Sequence, residues 1–407
     1  MSPAMKKVSR RRFLTGAARL GAAGLAAAPW LTAAELPSAA AAPLKRPFGR
    51  TGVELPVVNM GVMNAHLPEL VRRAFEKGVR FFDTAAYYQR GRNETMVGRT
   101  LKDMGVRDQA LIGTKIYVPE PQRPRLTDAE WKKAFVEGAE SSLARLDTDR
   151  IDVLSFHSAS DPEELALPGV REAMEELKRQ GKIRWAGFST HRNMASVVAG
   201  AGRFYDVGVV AFNYAMADDA AYLKVLADAA GSGLALVAMK TQCTQYWYRD
   251  LVPEDKQSLY RGRILHTAVL KWAVSHGFIA TAIPGFNTLD QLEEDLSVNE
   301  GLELTPEETR FLEDRGVRGR MQEVCVQCSS CVGTCPRGVE TPSLVRAHMY
   351  LTAYGNLDAA RTALAEAPEG RGLERCRDCA ECVASCSRRV PLSARLTELR
   401  EFCVDVG

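Results

Sequence analysis

The stretch "GVRFFDTAAYY", residues 78–88, decides the fold. Its apolar centre is short and reads as a buried strand, not a helix. The strand stops on Asp83, and Tyr87 and Tyr88 follow in the next loop. A carboxylate at a strand's end with a phenol just beyond it is expected where parallel strands aim their C-terminal ends at a working mouth.

The same arrangement repeats along the chain. Between about Leu44 and Asp314, short runs rich in Val, Ile and Phe alternate with longer segments of helical period. Strands are expected at 57–61, 80–83, 110–115, 151–157, 183–189, 207–212, 234–239 and 280–284. Helices are expected at 67–77, 93–104, 128–146, 170–180, 194–201, 219–230 and 265–275, with 289–298 after the last strand. Eight such units predict an α/β fold, a parallel (β/α)8 TIM barrel of the usual size, about 250 residues. An open doubly wound sheet would need fewer units, and no G-x-G-x-x-G follows the first strand.

In a barrel the chemistry sits at the C-terminal strand ends. Lys115 ends the third strand in "LIGTKIY" and His157 ends the fourth in "IDVLSFHSA". With Asp83 and Tyr88 they make four ionisable groups from three consecutive strand ends. Singly, Asp83 could cap a loop, Lys115 could be a solvated strand end and His157 a satisfied core histidine. Together they suit proton donation to a carbonyl oxygen. A carboxylate fixes the ammonium, and an ammonium beside the phenol is expected to lower its pKa. A neutral histidine can orient the carbonyl by a hydrogen bond.

These residues carry a resemblance. The pieces "FGRTGVELP", "GVRFFDTAAYY", "NETMVGRTLK", "IGTKIY", "RIDVLSFH", "GKIRWAGFST" and "AIPGFNTLDQLEEDL" resemble the aldo-keto reductase superfamily along nearly the whole barrel. The resemblance implies a catalytic tetrad of Asp83, Tyr88, Lys115 and His157. It also implies reversible reduction of a carbonyl, or oxidation of an alcohol, with NADP or NAD as hydride carrier. Tyr88, not Tyr87, takes the general acid's place. The cofactor positions it implies are Ser189 and Thr190, Met239 and Lys240, and Glu294. Several depart from the family pattern: Thr190 replaces Asn, Val209 replaces Gln, and Met239-Lys240 replaces a stacking ring. The stretch 285–291 carries no basic residue for a 2′-phosphate. NADP, NAD and no nicotinamide stay open, and Lys240 reads equally as a phosphate contact or a solvated lysine.

The 407 residues carry ten cysteines and a net charge of +3. That balance gives no basic stripe for nucleic acid. Eight of the cysteines fall in two runs, "CVQCSSCVGTCP" at 325–336 and "CRDCAECVASCS" at 376–387, each spaced C-x2-C-x2-C-x3-C. Such runs hold iron–sulfur clusters, and in two-cluster ferredoxins the fourth cysteine of a run ligates the other cluster. Carried over, Cys325, Cys328, Cys331 and Cys386 hold one 4Fe-4S cluster, and Cys376, Cys379, Cys382 and Cys335 the second. Zinc is the competing reading of C-x2-C pairs. The second run has Ser387 where the pattern has Pro, and the segment between the runs is helical in character. A small, mainly helical ferredoxin-like domain is expected. Two clusters imply a one-electron redox partner. Cys403 reads as a packed residue. Cys243 could line the mouth or pack, and Tyr246, Trp247 and Tyr248 could line the pocket or pack their loop.

The first forty residues run from basic, through an Ala/Gly/Leu stretch, to small residues. That order is a secretory signal peptide's. Residues 9–14, "SRRRFL", resemble the twin-arginine export signal. Cleavage is expected after Ala40 or Ala41, giving a periplasmic or extracytoplasmic product with no transmembrane span. A disordered basic extension and a retained anchor are the alternatives. Export of a folded, cluster-loaded chain would keep the cysteines occupied in an oxidising compartment. The expected organisation is thus 1–42 signal peptide, 43–315 barrel and 316–407 ferredoxin-type domain. The function expected is an exported iron–sulfur oxidoreductase. Its alternative is an electron-transfer protein whose barrel binds a ligand without hydride transfer.

Overall fold

The computed structural model describes residues 43–242, 265–321, 324–376, 379 and 381–405. Residues 1–42, Cys243, Tyr246, Trp247, Tyr248 and the side chain of Cys403 lie outside the described residues. The described chain opens on an antiparallel hairpin, β1 (Lys45–Pro47) with β2 (Glu54–Pro56). Sequence reading missed it, because two three-residue strands leave no measurable alternation. Gly52, at φ 77, helps turn the chain between them.

Eight parallel strands follow. They are β3 (Met60–Gly61), β4 (Phe81–Asp83), β5 (Leu111–Ile116), β6 (Ile151–Ala159), β7 (Ile183–Thr190), β8 (Val207–Ala211), β9 (Ala235–Met239) and β10 (Thr281–Ala282). Each pairs with its neighbour in chain order. Val58 and Gly61 bridge to Ala282 and Gly285 in parallel, so the last strand meets the first and the sheet closes into a barrel. The strand expected over 280–284 shrinks to β10, because Pro284 has no N–H for the ladder.

The helices fall between the strands. They are α1 (Pro68–Glu76), α2 (Arg92–Asp103), α3 (Asp128–Leu146), α4 (Pro168–Arg179), α5 (Met194–Gly200), α6 (Ala220–Gly231), α7 (His266–Ser275) and α8 (Leu289–Leu296). α3 begins where its capping box puts it: Thr127 Oγ1 accepts from Glu130 N at 3.3 Å while Glu130 accepts from Thr127 N at 2.8 Å. The strands' outer faces and the helices share one large apolar core. A smaller core fills the barrel, with Phe81, Leu111, Val153, Val207, Val237 and Ile283. Phe48 and Leu55 of the opening hairpin join it and seal the end opposite the mouth.

α2 lies so close to the end of α3 that a Cβ on Gly98 would come within 2.0 Å of the Leu146 carbonyl oxygen. Backbone cannot yield as a side chain can. Gly98→Ala is therefore expected to cost about 1–3 kcal/mol, read as a lower midpoint in denaturant unfolding.

Behind the barrel come α9 (Pro306–Glu313), α10 (Arg315–Met321), α11 (Thr341–Thr352), α12 (Leu357–Ala365) and α13 (Leu392–Asp405). Residues 341–350 of α11 are all buried, polar ones included. The helix is central: α12 and α13 pack against it, and Met63 of the barrel packs into their shared core. Two of its buried polar side chains are partnered, Arg346 by Glu366 and His348 Nε2 by Glu398 at 2.8 Å. Polar contacts fix this region over the barrel mouth. Asn356 Nδ2 donates to Asn64 Oδ1 at 2.7 Å, and Arg192 pairs with Glu340 at 3.2 Å. The Arg388 guanidinium donates to the Ala215 carbonyl. Among the described residues no helix is long and apolar enough to cross a membrane.

Candidate functional site

Parallel register brings the tetrad together. Asp83 closes β4, Lys115 lies near the end of β5 and His157 near the end of β6. Lys115 Nζ donates to Asp83 Oδ2 at 2.5 Å and to the Thr84 carbonyl at 2.6 Å. Both side chains of the ion pair are buried. The loop carrying Tyr88 is tied down on both sides. Thr84 Oγ1 donates to Asn93 Oδ1 at 2.6 Å, and Asn93 Nδ2 to the Val62 carbonyl at 2.7 Å. Gln89 is left-handed at φ 51 and spends its amide on the carbonyls of Met63 and Ala65. Tyr88 is thereby laid against Lys115, whose Nζ is 5.3 Å from the ring centroid. The Tyr88 and His157 rings are 6.1 Å apart. Arg123 holds His157 in place by donating to its carbonyl at 3.1 Å.

A cavity of about 160 Å³ opens on all four tetrad residues. Tyr87 is adjacent in sequence but lines a different groove, with Tyr117, on the barrel's flank. Burial, the Asp83 charge and Tyr350 raise the Tyr88 phenol well above the ordinary range. This corrects the expectation that an ammonium lowers it. Lys115 is paired with Asp83, whose own charge adds to the rise, and burial is the largest cause. Tyr88 is a protonated donor at neutral pH. Burial, then the charges of Lys115, Arg123 and Arg346, hold His157 well below the usual imidazole range, so it is neutral. Its Nδ1 is buried without a partner among the described residues.

Ser189, Met239, Lys240 and Glu294 line the same cavity. Thr190 does not: it is fully buried, and its hydroxyl donates to the Arg192 carbonyl at 2.9 Å. The cavity continues past Gly285, Asn287 and Gln291 to Asp295. Burial raises the Asp295 carboxyl well above its usual range. The lining thus runs from His157 to α8, and its α8 end, from Gly285 to Asp295, carries no Lys or Arg to meet a 2′-phosphate.

Three contributors were not anticipated. His191 follows Ser189-Thr190 at a strand's C-terminal end, which is a signal that could have found it. Tyr350 and Tyr354 reach the cavity from the cysteine-bearing region. No local pattern marks them, because α11 reads as an ordinary apolar helix.

All eight cysteines of the two runs are free thiols. They form two groups that cross the runs. Cys331 feels Cys325, Cys386 and Cys328, while Cys376 feels Cys379, Cys335 and Cys382. α11 packs against both groups, Val345 beside the first and Leu344 beside the second. Cys335, Cys376, Cys379 and Cys382 surround a cavity of about 420 Å³. Among the described residues no three of His, Cys, Asp and Glu converge as a single metal ion requires. Burial and the neighbouring thiols push Cys331 up to about 12 and Cys376 up to about 11, so ionising them calls for a bound cation.

Comparison with known proteins agrees with this geometry. Residues 59–243 match the Aldo/keto reductase family, and residues 324–390 match the 4Fe-4S dicluster domain. Aldo-keto reductase YhdN of Bacillus subtilis is 36% identical over 122 residues, which is 30% of this chain and 36% of that protein. The uncharacterized oxidoreductase YqkF of the same organism is 30% identical over 154 residues, 36% of this chain and 49% of that one. The chain thus spans a third to a half of these two relatives. Versiconal hemiacetal acetate reductase of Aspergillus parasiticus is 25% identical over 336 residues, 66% of this chain and 95% of that protein. An aldo-keto reductase from Bacillus halodurans, solved in its holo form, superposes with a TM-score of 0.53 at 23% identity, covering 68% of this chain and 100% of that one. The chain therefore carries an aldo/keto reductase domain, built as a parallel eight-stranded barrel, and behind it a 4Fe-4S dicluster domain.

Proposed function

We propose that the protein is an exported oxidoreductase that reduces a carbonyl compound at the barrel mouth, with Tyr88 as proton donor, and exchanges electrons with a one-electron partner through two 4Fe-4S clusters. The observation that carries the reading is the buried Lys115–Asp83 pair beneath Tyr88, with neutral His157 beside it in one cavity. Ser189, Met239-Lys240 and Glu294 would hold a nicotinamide, which would supply a hydride. A relative of the same fold, an aldo-keto reductase from Klebsiella pneumoniae with a TM-score of 0.52, was solved in complex with NADPH. The two cysteine groups would hold the clusters, which would carry single electrons.

The chain's own residues do the rest. His157 orients the carbonyl oxygen by a hydrogen bond and stays neutral. Tyr88 gives that oxygen its proton. Lys115, anchored by Asp83, keeps a positive charge under the ring as negative charge develops above it. The residues at the N-terminus, with their "SRRRFL" motif, support export.

The protonation states make a test. Tyr88 loses its proton only above the ordinary phenol value of about 10, and His157 gains one only below the ordinary imidazole value of about 6.5. The rate of carbonyl reduction is therefore expected to stay flat between those limits. A rate that rises or falls tenfold within them would contradict the assignment.

A second reading has one observation in its favour. Thr190 is turned away from the cavity, so one expected contact to the nicotinamide is missing. In that reading the barrel holds a ligand or partner and only the clusters move electrons.

A further inference from the structure

One cation at the mouth takes no part in the proton transfer above. Lys240 directly follows β9 and has φ 56, a left-handed conformation that a lysine keeps only when its surroundings hold it. Its Nζ lies 3.3 Å from His191 Nδ1 and 5.2 Å from the centroid of the Tyr350 ring. His191 and Tyr350 are both buried. Burial and the Lys240 charge hold His191 well below the usual imidazole range, so it is a neutral acceptor. Tyr350 arrives on α11, from the dicluster domain. The other lysine of the cavity, Lys115, is paired with Asp83, and nearby Arg346 is paired with Glu366. Among the described residues no carboxylate lies within ion-pair distance of Lys240. A half-buried ammonium held by a neutral ring nitrogen and an aromatic face lacks the anion such burial calls for.

The ammonium lines the same cavity of about 160 Å³ as Tyr88 and His157. A ligand with its carbonyl at Tyr88 and an anionic group at Lys240 must therefore be compact. We propose that Lys240, set in place by His191 and Tyr350, is the anion-recognition residue of the mouth, and that it receives a carboxylate or phosphate group on a small carbonyl substrate. The substrate part of this rests on the reading of Tyr88 as proton donor. The anion could instead belong to the diphosphate of a nicotinamide dinucleotide, which offers the ammonium the same chemistry. Lys240 also borders a small space shared with Cys325 and Gln327, so a third recipient of its charge is the cluster itself.

Calorimetric titration of the anaerobic, cluster-loaded chain separates these. The probes are 2-oxobutyrate, its uncharged counterpart butanone, and NADPH, each with wild type, Lys240→Gln and Lys240→Arg. The expected result is about ten- to hundredfold weaker 2-oxobutyrate binding by Lys240→Gln, unchanged butanone, and recovery in Lys240→Arg. Weakening of NADPH alone supports Lys240 as the anion receptor and assigns the anion to the dinucleotide. Unchanged binding of both, with or without a shifted cluster potential, overturns the proposal. If Lys240→Gln fails to load clusters, Tyr350→Leu tests the same holder: about two- to thirtyfold weaker 2-oxobutyrate binding is expected, and no change overturns it. The readout is binding. A chain that turns over no carbonyl sinks the reductase reading alone, and an active chain whose Lys240→Gln form binds as wild type sinks this one alone.

Discussion

Replacing Tyr88 with Phe is expected to lower carbonyl reduction by about 10²- to 10⁴-fold, the range a positioned general acid contributes. The effect should fall on kcat, because the ring stays. Phenylalanine keeps the face that meets Lys115 Nζ at 5.3 Å and the edge that meets His157. Only the proton is lost. Binding of a nicotinamide should be unchanged, as should the clusters' visible absorbance. Tyr87→Phe is the matched control. Tyr87 also sits against His157, with ring centroids 4.9 Å apart, but lines the flank groove instead of the mouth. It should cost little. If the two substitutions act alike, or if Tyr88→Phe leaves reduction intact, the proton comes from elsewhere and the tetrad reading fails.

The second large effect concerns the cysteines. Cys335 belongs to the first run by sequence but to the second group by position, and Cys386 the reverse. Cys335→Ala should therefore take the chain from about eight iron atoms to about four by removing the cluster of Cys376, Cys379 and Cys382. Adding Cys376→Ala should take away no more iron. Adding Cys325→Ala instead should strip the second cluster as well. Run-by-run ligation predicts the opposite pattern of double variants. Iron and acid-labile sulfide content, with the electron spin resonance of the reduced protein, distinguishes the two. The surviving cluster should keep its own signal, because Cys325, Cys328, Cys331 and Cys386 are untouched.

Much of this was legible in the sequence, and the exceptions share a cause. The barrel strands and helices were readable because each buries a run of its own. α3 runs over the expected 128–146. The tetrad was readable because a parallel barrel puts every strand's C-terminal end at one mouth, so Asp83, Lys115 and His157 needed no further information. The phenol's pKa was not. Its direction depends on how deeply the loop buries it, and on the charge that Asp83 adds. Tyr350 and Tyr354 were not legible either. Their role exists only because α11 lies over the barrel, held there by contacts such as Asn356–Asn64 and Arg192–Glu340 that join distant parts of the chain. Thr190 failed for the converse reason. Its place at a strand end suggested the cavity, but its hydroxyl is used locally by the Arg192 carbonyl.

Those distant contacts change how the second domain is understood. It carries the eight cysteines of the two runs, and through Tyr350 and Tyr354 it also supplies part of the wall of the cavity that the tetrad lines. Substrate fit and electron transfer would then depend on the same helix.

The most direct test of the account is equilibrium binding of NADPH and NADH to the anaerobically purified, cluster-loaded chain, followed by nicotinamide fluorescence. The account predicts that at least one binds in the micromolar range typical of enzyme substrates and is oxidised when a small carbonyl compound is added. If neither binds and no nicotinamide is already held by the protein, hydride transfer at Tyr88 is contradicted and the clusters are left as the only source of electrons.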